Sequence, residues 1–212
     1  MNVLKLKQLI LIQLFTIYLR YLIGGAFVFA SIVKIQGQRF TTGSGAGAPI
    51  HDPWHFFETL YQSGLYWQFI GWGQLIAGFL LMTQVLSTLG AMMFFPIILN
   101  IFVITISYYF AGTPVITFLM LLANIYLLVW DWNRLRVVVL PAQSTFVDEV
   151  YPLMRSRSWA YLGLFYAGLS ILAKLTIQSF LSLLLMFGIA LLAGLAVLIY
   201  TLKEHKKTAL SV

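Results

Sequence analysis

The sequence contains no cysteine, and this absence excludes several kinds of site. Without a thiol, the chain cannot form a disulfide framework, a thiolate metal site, a haem attached through cysteine or its own thiol–disulfide relay. Those redox and metal chemistries are therefore excluded. The cysteine count does not indicate a cellular compartment.

Charged residues are also scarce. They make up 9% of the chain, with 6 Asp and Glu against 13 Lys and Arg, whereas hydrophobic residues make up 61%. A soluble domain is roughly half apolar and about a quarter charged. The mean hydropathy of +0.92 therefore indicates a chain whose main solvent is the lipid bilayer. The net charge of +7 does not indicate a nucleic-acid partner, because the basic residues are scattered at the ends of apolar runs.

Six apolar runs, most of them about 20 residues long, organise the chain. The first run follows two lysines as a signal peptide would, but its length favours a retained first helix. The runs are too long, and alternate too little, for barrel strands. We therefore predict an all-α integral membrane protein with about six transmembrane helices. The predicted spans lie near 9–33, 65–85, 88–111, 114–131, 159–175 and 179–200.

The basic residues of the connecting segments predict the orientation, because cytoplasmic loops are enriched in Lys and Arg. A cytoplasmic N-terminus leaves only Lys34, Arg39 and Lys174 outside. With an even number of spans, both termini are then cytoplasmic. The inside segments carry Lys5, Lys7, Arg134, Arg136, Arg155, Arg157, Lys203, Lys206 and Lys207.

The predicted organisation has three parts. Residues 1–136 form a four-helix transmembrane core with an outer loop at 36–64, residues 137–158 form a cytoplasmic linker, and residues 159–212 form a two-helix extension with a basic tail. In the outer loop, Asp52 followed by Pro53 predicts the start of a short amphipathic helix from about Pro53 to Gln62.

Two histidines of the outer loop, His51 and His55, have a spacing that invites a metal interpretation. His51 precedes the predicted helix cap, however, and only Glu58 is a nearby third ligand. We predict no metal site. The loops contain no catalytic motif either, so we assign no catalytic residues.

Each of the first four runs carries one stripe of polar or small residues at helical spacing. Polar side chains in a span tend to face the bundle interior, so the four stripes are predicted to face one another. The stripes are Gln13, Arg20, Gly24, Phe27, Ser31 and Lys34; Trp67, Gly71, Gln74 and Gly78; Pro96, Asn100, Val103 and Ser107; and Thr117, Leu121, Asn124 and Asp131.

The depth of the polar residues predicts a shared chamber. Arg20, Gln74, Asn100 and Asn124 all fall near mid-membrane at about 1.5 Å per residue. At that depth we expect no carboxylate for Arg20, because Asp131 belongs to the inner end. The predicted ligand-binding residues are Arg20, Gln74, Asn100, Asn124, Ser31 and Lys34. Alternatively, the amides hydrogen-bond between helices as packing groups and the arginine extends to the interface.

Several of these segments resemble the DoxX-like family of small bacterial integral membrane proteins. The resemblance covers about residues 15–136. It rests on the run from Arg20 to Phe27 with Ser31 and Lys34, on Gly71-Trp72-Gly73-Gln74 with Gly78, and on Pro96, Asn100 and Leu122-Ala123-Asn124.

The resemblance implies a four-helix bundle in the bacterial cytoplasmic (inner) membrane, associated with thiosulfate, sulfur-compound or quinone-linked redox systems. Family members often carry a carboxylate near the position of Gln74, so the amide there argues against proton transfer. We expect a non-catalytic membrane subunit or a binder of a quinone-type small molecule, with a redox partner protein. The alternatives are a small-anion transporter or channel, and a membrane assembly factor that presents the aromatic outer loop.

Overall fold

The computed structural model describes residues 6–110, 112–139, 153–154, 156–176 and 179–210, and these form eight helices and no strand. Six of the helices are long and apolar enough to cross a membrane, which confirms the all-α membrane fold. The helices are α1 (Ile10–Ile35), α2 (Pro53–Gln62), α3 (Leu65–Met82), α4 (Ser87–Ser107), α5 (Thr113–Trp130), α6 (Trp132–Val139), α7 (Arg157–Thr176) and α8 (Phe180–Leu210). The six candidate spans are all of these helices except α2 and α6.

Helix α1 is the centre of the bundle and packs against α3, α5 and α7. Its contact with α3 is close because both helices carry glycine where they meet. A Cβ added at Gly78 would lie 2.6 Å from the Gly24 carbonyl, and one added at Gly71 would lie 2.8 Å from Lys34 Cβ. Small residues at helix contacts are typical of membrane bundles. Gly24 meets Gly78 and Lys34 meets Gly71, so α1 and α3 run antiparallel in this register.

Three of the four predicted stripes are confirmed as interior faces. Every residue of the first, second and fourth stripes, on α1, on α3 and on α5 with its following Asp131, is buried. The prediction for α4 is wrong, because Pro96, Asn100, Val103 and Ser107 are all exposed. The buried face of α4 instead consists of Ser87, Gly90, Ala91, Phe94, Ile98 and Thr105.

The rotation of α4 has a physical cause. Gly90 lies against the Leu81 backbone with no space for a Cβ, and Phe94 stacks on Phe27 with 3.6 Å between ring centroids. Close backbone approach and aromatic packing therefore decide which side of α4 faces inwards. The polar residues that we assigned to the interior are turned towards the outside of the bundle.

Helix α7 packs directly on α1 and α3. Trp159 and Leu162 join Ile17, Tyr21 and Met82 in one buried cluster. Helix α8 packs against α7 and is mostly exposed, so its apolar side chains face the bilayer. The predicted linker lies largely outside the described residues, at 140–152 and 155. The division of the chain at 137–158 stays a prediction.

The outer loop contains the predicted helix with the predicted bounds, Pro53–Gln62. The Asp52 carboxylate accepts a hydrogen bond of 2.7 Å from the Trp54 amide, and Pro53 occupies the first turn, as expected for a capped helix start. Aromatic side chains of α2 pack on the connection between α4 and α5. Phe56 stacks on Tyr108 at 4.7 Å between centroids, and Trp54 contacts Phe110 edge-on at 5.6 Å.

Candidate functional site

Arg20 has a carboxylate partner, contrary to our expectation from the sequence. One of its terminal nitrogens lies 3.1 Å from Asp131 Oδ2, and the other donates to Gln84 Oε1 at 3.1 Å. A depth counted along the helix gives the height of a Cα atom, not of the end of a long side chain. Side chains on a helix tilt towards its N-terminus, and for Arg20 this is the end of α1 at which Asp131 follows α5. The guanidinium therefore reaches the Asp131 carboxylate.

The ion pair belongs to a polar cluster, Arg20, Gln84, Thr88 and Asp131, which we call the inner cluster. Thr88 donates to Asp131 Oδ2 at 3.0 Å, and Gln84 also donates to the Ile17 carbonyl at 3.4 Å. Gln84 has a φ of +61° in the turn between α3 and α4. The cluster links α1, that turn, α4 and the end of α5. Its formal charge is balanced, so Arg20 does not require an anionic ligand.

Asn124 and Gln74 occupy separate helix contacts. Asn124 Nδ2 donates to the Ala91 carbonyl at 3.3 Å, which joins α5 to α4. Gln74 is buried on the face of α3 that meets α1, between Gly71 and Gly78. Within the described residues, neither Gln74 Oε1 nor Asn124 Oδ1 has a hydrogen-bond partner. Both amides thus retain an unused acceptor in the interior.

The remaining predicted site residues are also distributed. Ser31 is buried and donates to the Val28 carbonyl of its own helix at 2.7 Å. Asn100 is exposed on the outside of α4 and does not share an interior with Arg20, Gln74 and Asn124. The structure therefore does not bring the four mid-membrane residues into one group, and their ligand-binding role stays a prediction.

Lys34 lies at the other end of α1 and has no carboxylate partner among the described residues. Its side chain is buried, at 8% exposure. The ammonium group donates to the Ala30 carbonyl at 3.0 Å and lies 5.0 Å from the centroids of both the Trp67 and Phe40 rings. Cation–π contact lowers the energy of a desolvated ammonium, but it leaves the charge without a counter-ion.

Trp67 also lines a pocket of about 330 Å³ on the same side of the bundle, which we call the outer pocket. The pocket lies where α1 ends, α2 ends and α3 begins. The indole N–H of Trp67 donates to the Gln38 carbonyl at 2.9 Å, which fixes the ring at the base of the loop. The lining residues are Gly37, Tyr61, Gln62, Gly64, Trp67 and Gln68.

Two glycines shape the outer pocket. Gly37 has a φ of +63° and Gly64 has a φ of +59°, values that residues with a Cβ rarely adopt. At the end of α1, the Gln38 amide donates to the Val33 carbonyl and the Gly37 amide donates to the Lys34 carbonyl. This is the Schellman arrangement, which ends a helix with glycine in the left-handed region. The signal in the sequence for this site is a glycine shortly after α1 and another shortly after α2.

A second ion pair supports the wall of the outer pocket. Arg39 binds Glu58 through two hydrogen bonds of 2.9 Å, and the Gly45 amide and Gln62 also donate to this carboxylate. The Arg39 guanidinium holds the pKa of Glu58 down at about 2. The guanidinium also lies 4.7 Å from the centroid of the Tyr61 ring, which lines the pocket. The pair therefore anchors the loop without occupying the cavity.

Within the part of the chain that the structure describes, no group of His, Asp and Glu could hold a metal ion. His55 Nδ1 lies 3.0 Å from the Ala48 carbonyl, a contact within the loop.

Comparison with known proteins gives no match: no family model, no curated protein and no solved structure matches the chain.

Proposed function

We propose that the chain is a DoxX-like, non-catalytic protein of the bacterial cytoplasmic membrane that binds a quinone-type small molecule for a redox partner protein. Both termini are cytoplasmic in this proposal, and the outer pocket faces the opposite side. The observation that carries the proposal is Lys34, a buried cation without a carboxylate partner in the described residues, beside the tryptophan that lines the pocket.

The chemistry of a quinone ring fits these groups. An ammonium has three N–H donors, and Lys34 makes one hydrogen bond to a protein acceptor in the described part of the chain. Lys34 does not itself line the pocket, but its ammonium lies 5.0 Å from the centroid of the Trp67 ring, which does. In this proposal the quinone ring packs on Trp67, and its carbonyl oxygen accepts from a remaining donor of Lys34. The volume of about 330 Å³ lies at the lower end of the range of about 300–1,000 Å³ typical of small-molecule sites.

The surface beside the pocket fits an apolar tail. Leu65 is 82% exposed and Phe69 is 68% exposed at the start of α3, next to the pocket residues Gly64 and Gln68. A quinone with its ring in the pocket can lay its tail along this surface into the lipid. The ligand would then enter from the bilayer.

The test is ligand-induced thermal stabilisation of the full chain in detergent, with a short-chain quinone as the probe. At a hundredfold excess over the dissociation constant, a ligand stabilises by about 2.7 kcal/mol, and we expect Lys34→Met to lose this effect. Lys174→Met is the control, because Lys174 also lies over an aromatic ring, Phe29, and neither residue lines the pocket. A folded Lys34→Met variant that keeps full stabilisation contradicts the proposal.

The same cation supports one alternative, transport of a small anion. Transport requires access from both sides of the membrane, so the distinguishing measurement is anion flux into proteoliposomes. Flux that Lys34→Met abolishes, without stabilisation by the quinone, would favour the alternative. The assembly-factor alternative has no such support, because Trp54 and Phe56 of the outer loop pack against the connection that follows α4.

A further inference from the structure

The outer face of α4 carries a polar side chain that no other part of the described chain covers. Asn100 is exposed, and its amide has no hydrogen-bond partner in the described residues. It lies about 20 Å along the helix from Ser87 and about 10 Å from Ser107, at 1.5 Å per residue. The side chain is too short to reach the interface from there. The amide therefore lies within the hydrocarbon layer.

Exposed apolar side chains precede and follow Asn100 along α4. Leu99 is 39% exposed, Val103 is 53% exposed and Ile106 is 56% exposed. Lipid tails offer no hydrogen-bond partner, so an amide that faces them keeps its desolvation cost without compensation. Asparagine in such a position stabilises association with another transmembrane helix.

A second polar group lies on the same face. Pro96, one turn before Asn100, is exposed and lies inside the helix. Proline has no N–H, so the Met92 carbonyl receives no hydrogen bond from the residue four positions on. Met92 is itself 41% exposed. Residues 92, 96 and 100 are spaced by four and lie along one side of the helix. That side thus offers both an amide and a backbone carbonyl.

The chemistry of this face favours a second copy of the chain. An amide is both donor and acceptor, so two Asn100 side chains related by a two-fold axis can satisfy each other or the Met92 carbonyl of the opposite copy. The patch has no charged residue that would require a partner of opposite charge. An isologous contact brings the same patch together from both copies and closes after two.

We infer that the outer face of α4 around Asn100, with Met92, Pro96, Leu99 and Val103, is the interface of a homodimer within the membrane. This inference is independent of the outer pocket, which is formed by α1, α2 and α3.

The first test uses the absence of native cysteine. A single Val103→Cys substitution places a thiol one turn from Asn100 on the proposed interface, and oxidation in native membranes should link two full-length chains. The matched control is Ile116→Cys on α5, which is similarly exposed at 60% but lies outside the interface and should stay monomeric. Failure of the Val103→Cys variant to link two copies, or equal linking by the control, would overturn the inference.

The second test measures dimer dissociation by energy transfer between labelled chains in liposomes over a range of dilution. Asn100→Leu should raise the dissociation constant on the order of tenfold, as the loss of two interhelical hydrogen bonds predicts. Ser107→Ala on the same side should leave it unchanged, because Ser107 donates to the Val103 carbonyl of its own helix. An unchanged dissociation constant in a folded Asn100→Leu variant contradicts the homodimer. In the first test, linking of the Val103→Cys chain only to a protein of different mass also contradicts it.

Discussion

At the scale of single residues, the pairing of Arg20 with Asp131 changes what a substitution should do. Side-chain exposures of 3% and 8% make this a buried ion pair. Removing one partner of such a pair leaves the other charge uncompensated, whereas replacing both with apolar residues is often neutral. Arg20 is therefore a structural residue first, and its single substitutions report on folding before they report on ligand binding.

We expect Asp131→Asn to lower the free energy of unfolding by about 3–5 kcal/mol, because Arg20 stays charged and loses its carboxylate. The double variant Arg20→Leu with Asp131→Leu should recover most of that loss. Thermal unfolding of the full chain in detergent, arranged as a double-mutant cycle, measures both effects. If Asp131→Asn is as stable as the unsubstituted chain, the ion pair is not a stabilising contact.

At the scale of helices, glycine decides which elements approach closely. Gly163 of α7 lies against the Met82 backbone carbonyl and near the Tyr21 ring, with no space for a Cβ, whereas a Cβ at Gly168 of the same helix would meet nothing within 4 Å. Both residues are inside α7. Their backbone requirements are alike, but their packing surroundings differ.

Alanine at these two positions should therefore affect stability differently. Gly168→Ala should leave stability unchanged or raise it by up to about 1 kcal/mol, since alanine favours the helix. Gly163→Ala should lower the thermal midpoint, because α7 must move away from α3. Midpoints of the two variants measured side by side provide the comparison. The same sign for both would show that packing of α7 on α3 does not limit stability.

At the scale of the whole molecule, the number of spans and the distribution of basic residues predict the topology. Six spanning helices are an even number, which predicts that both ends of the chain lie on one side of the membrane. The outer pocket, at the C-terminal end of α1, lies on the other side. Arg134 and Arg136 follow α5 on the side of the termini, in agreement with the enrichment of basic residues in cytoplasmic segments.

Reporter fusions test this arrangement directly. Fusions after Lys7, within the Gly43–Ala48 segment, near Gln143 and after Lys207 should report inside, outside, inside and inside. The measurement is the activity of paired reporters that function only in the cytoplasm or only in the periplasm. A C-terminal fusion that reports outside would contradict the six-span arrangement.

The sequence by itself determined the spans, the capped helix α2 and the interior faces of α1, α3 and α5. These features depend on local information: the length of an apolar run, the Asp52-Pro53 start and the spacing of polar residues along one helix. Each can be recognised without knowing where any other helix lies, which is why the sequence sufficed.

Only the tertiary structure decided the partner of Arg20, the outward orientation of Asn100 and the existence of the outer pocket. Each depends on the rotation and depth of one helix relative to another. Close contacts at Gly24, Gly78 and Gly90 set these relations, and so does the stacking of Phe94 on Phe27. Such contacts join residues far apart in the chain, so the periodicity of a single helix does not predict them.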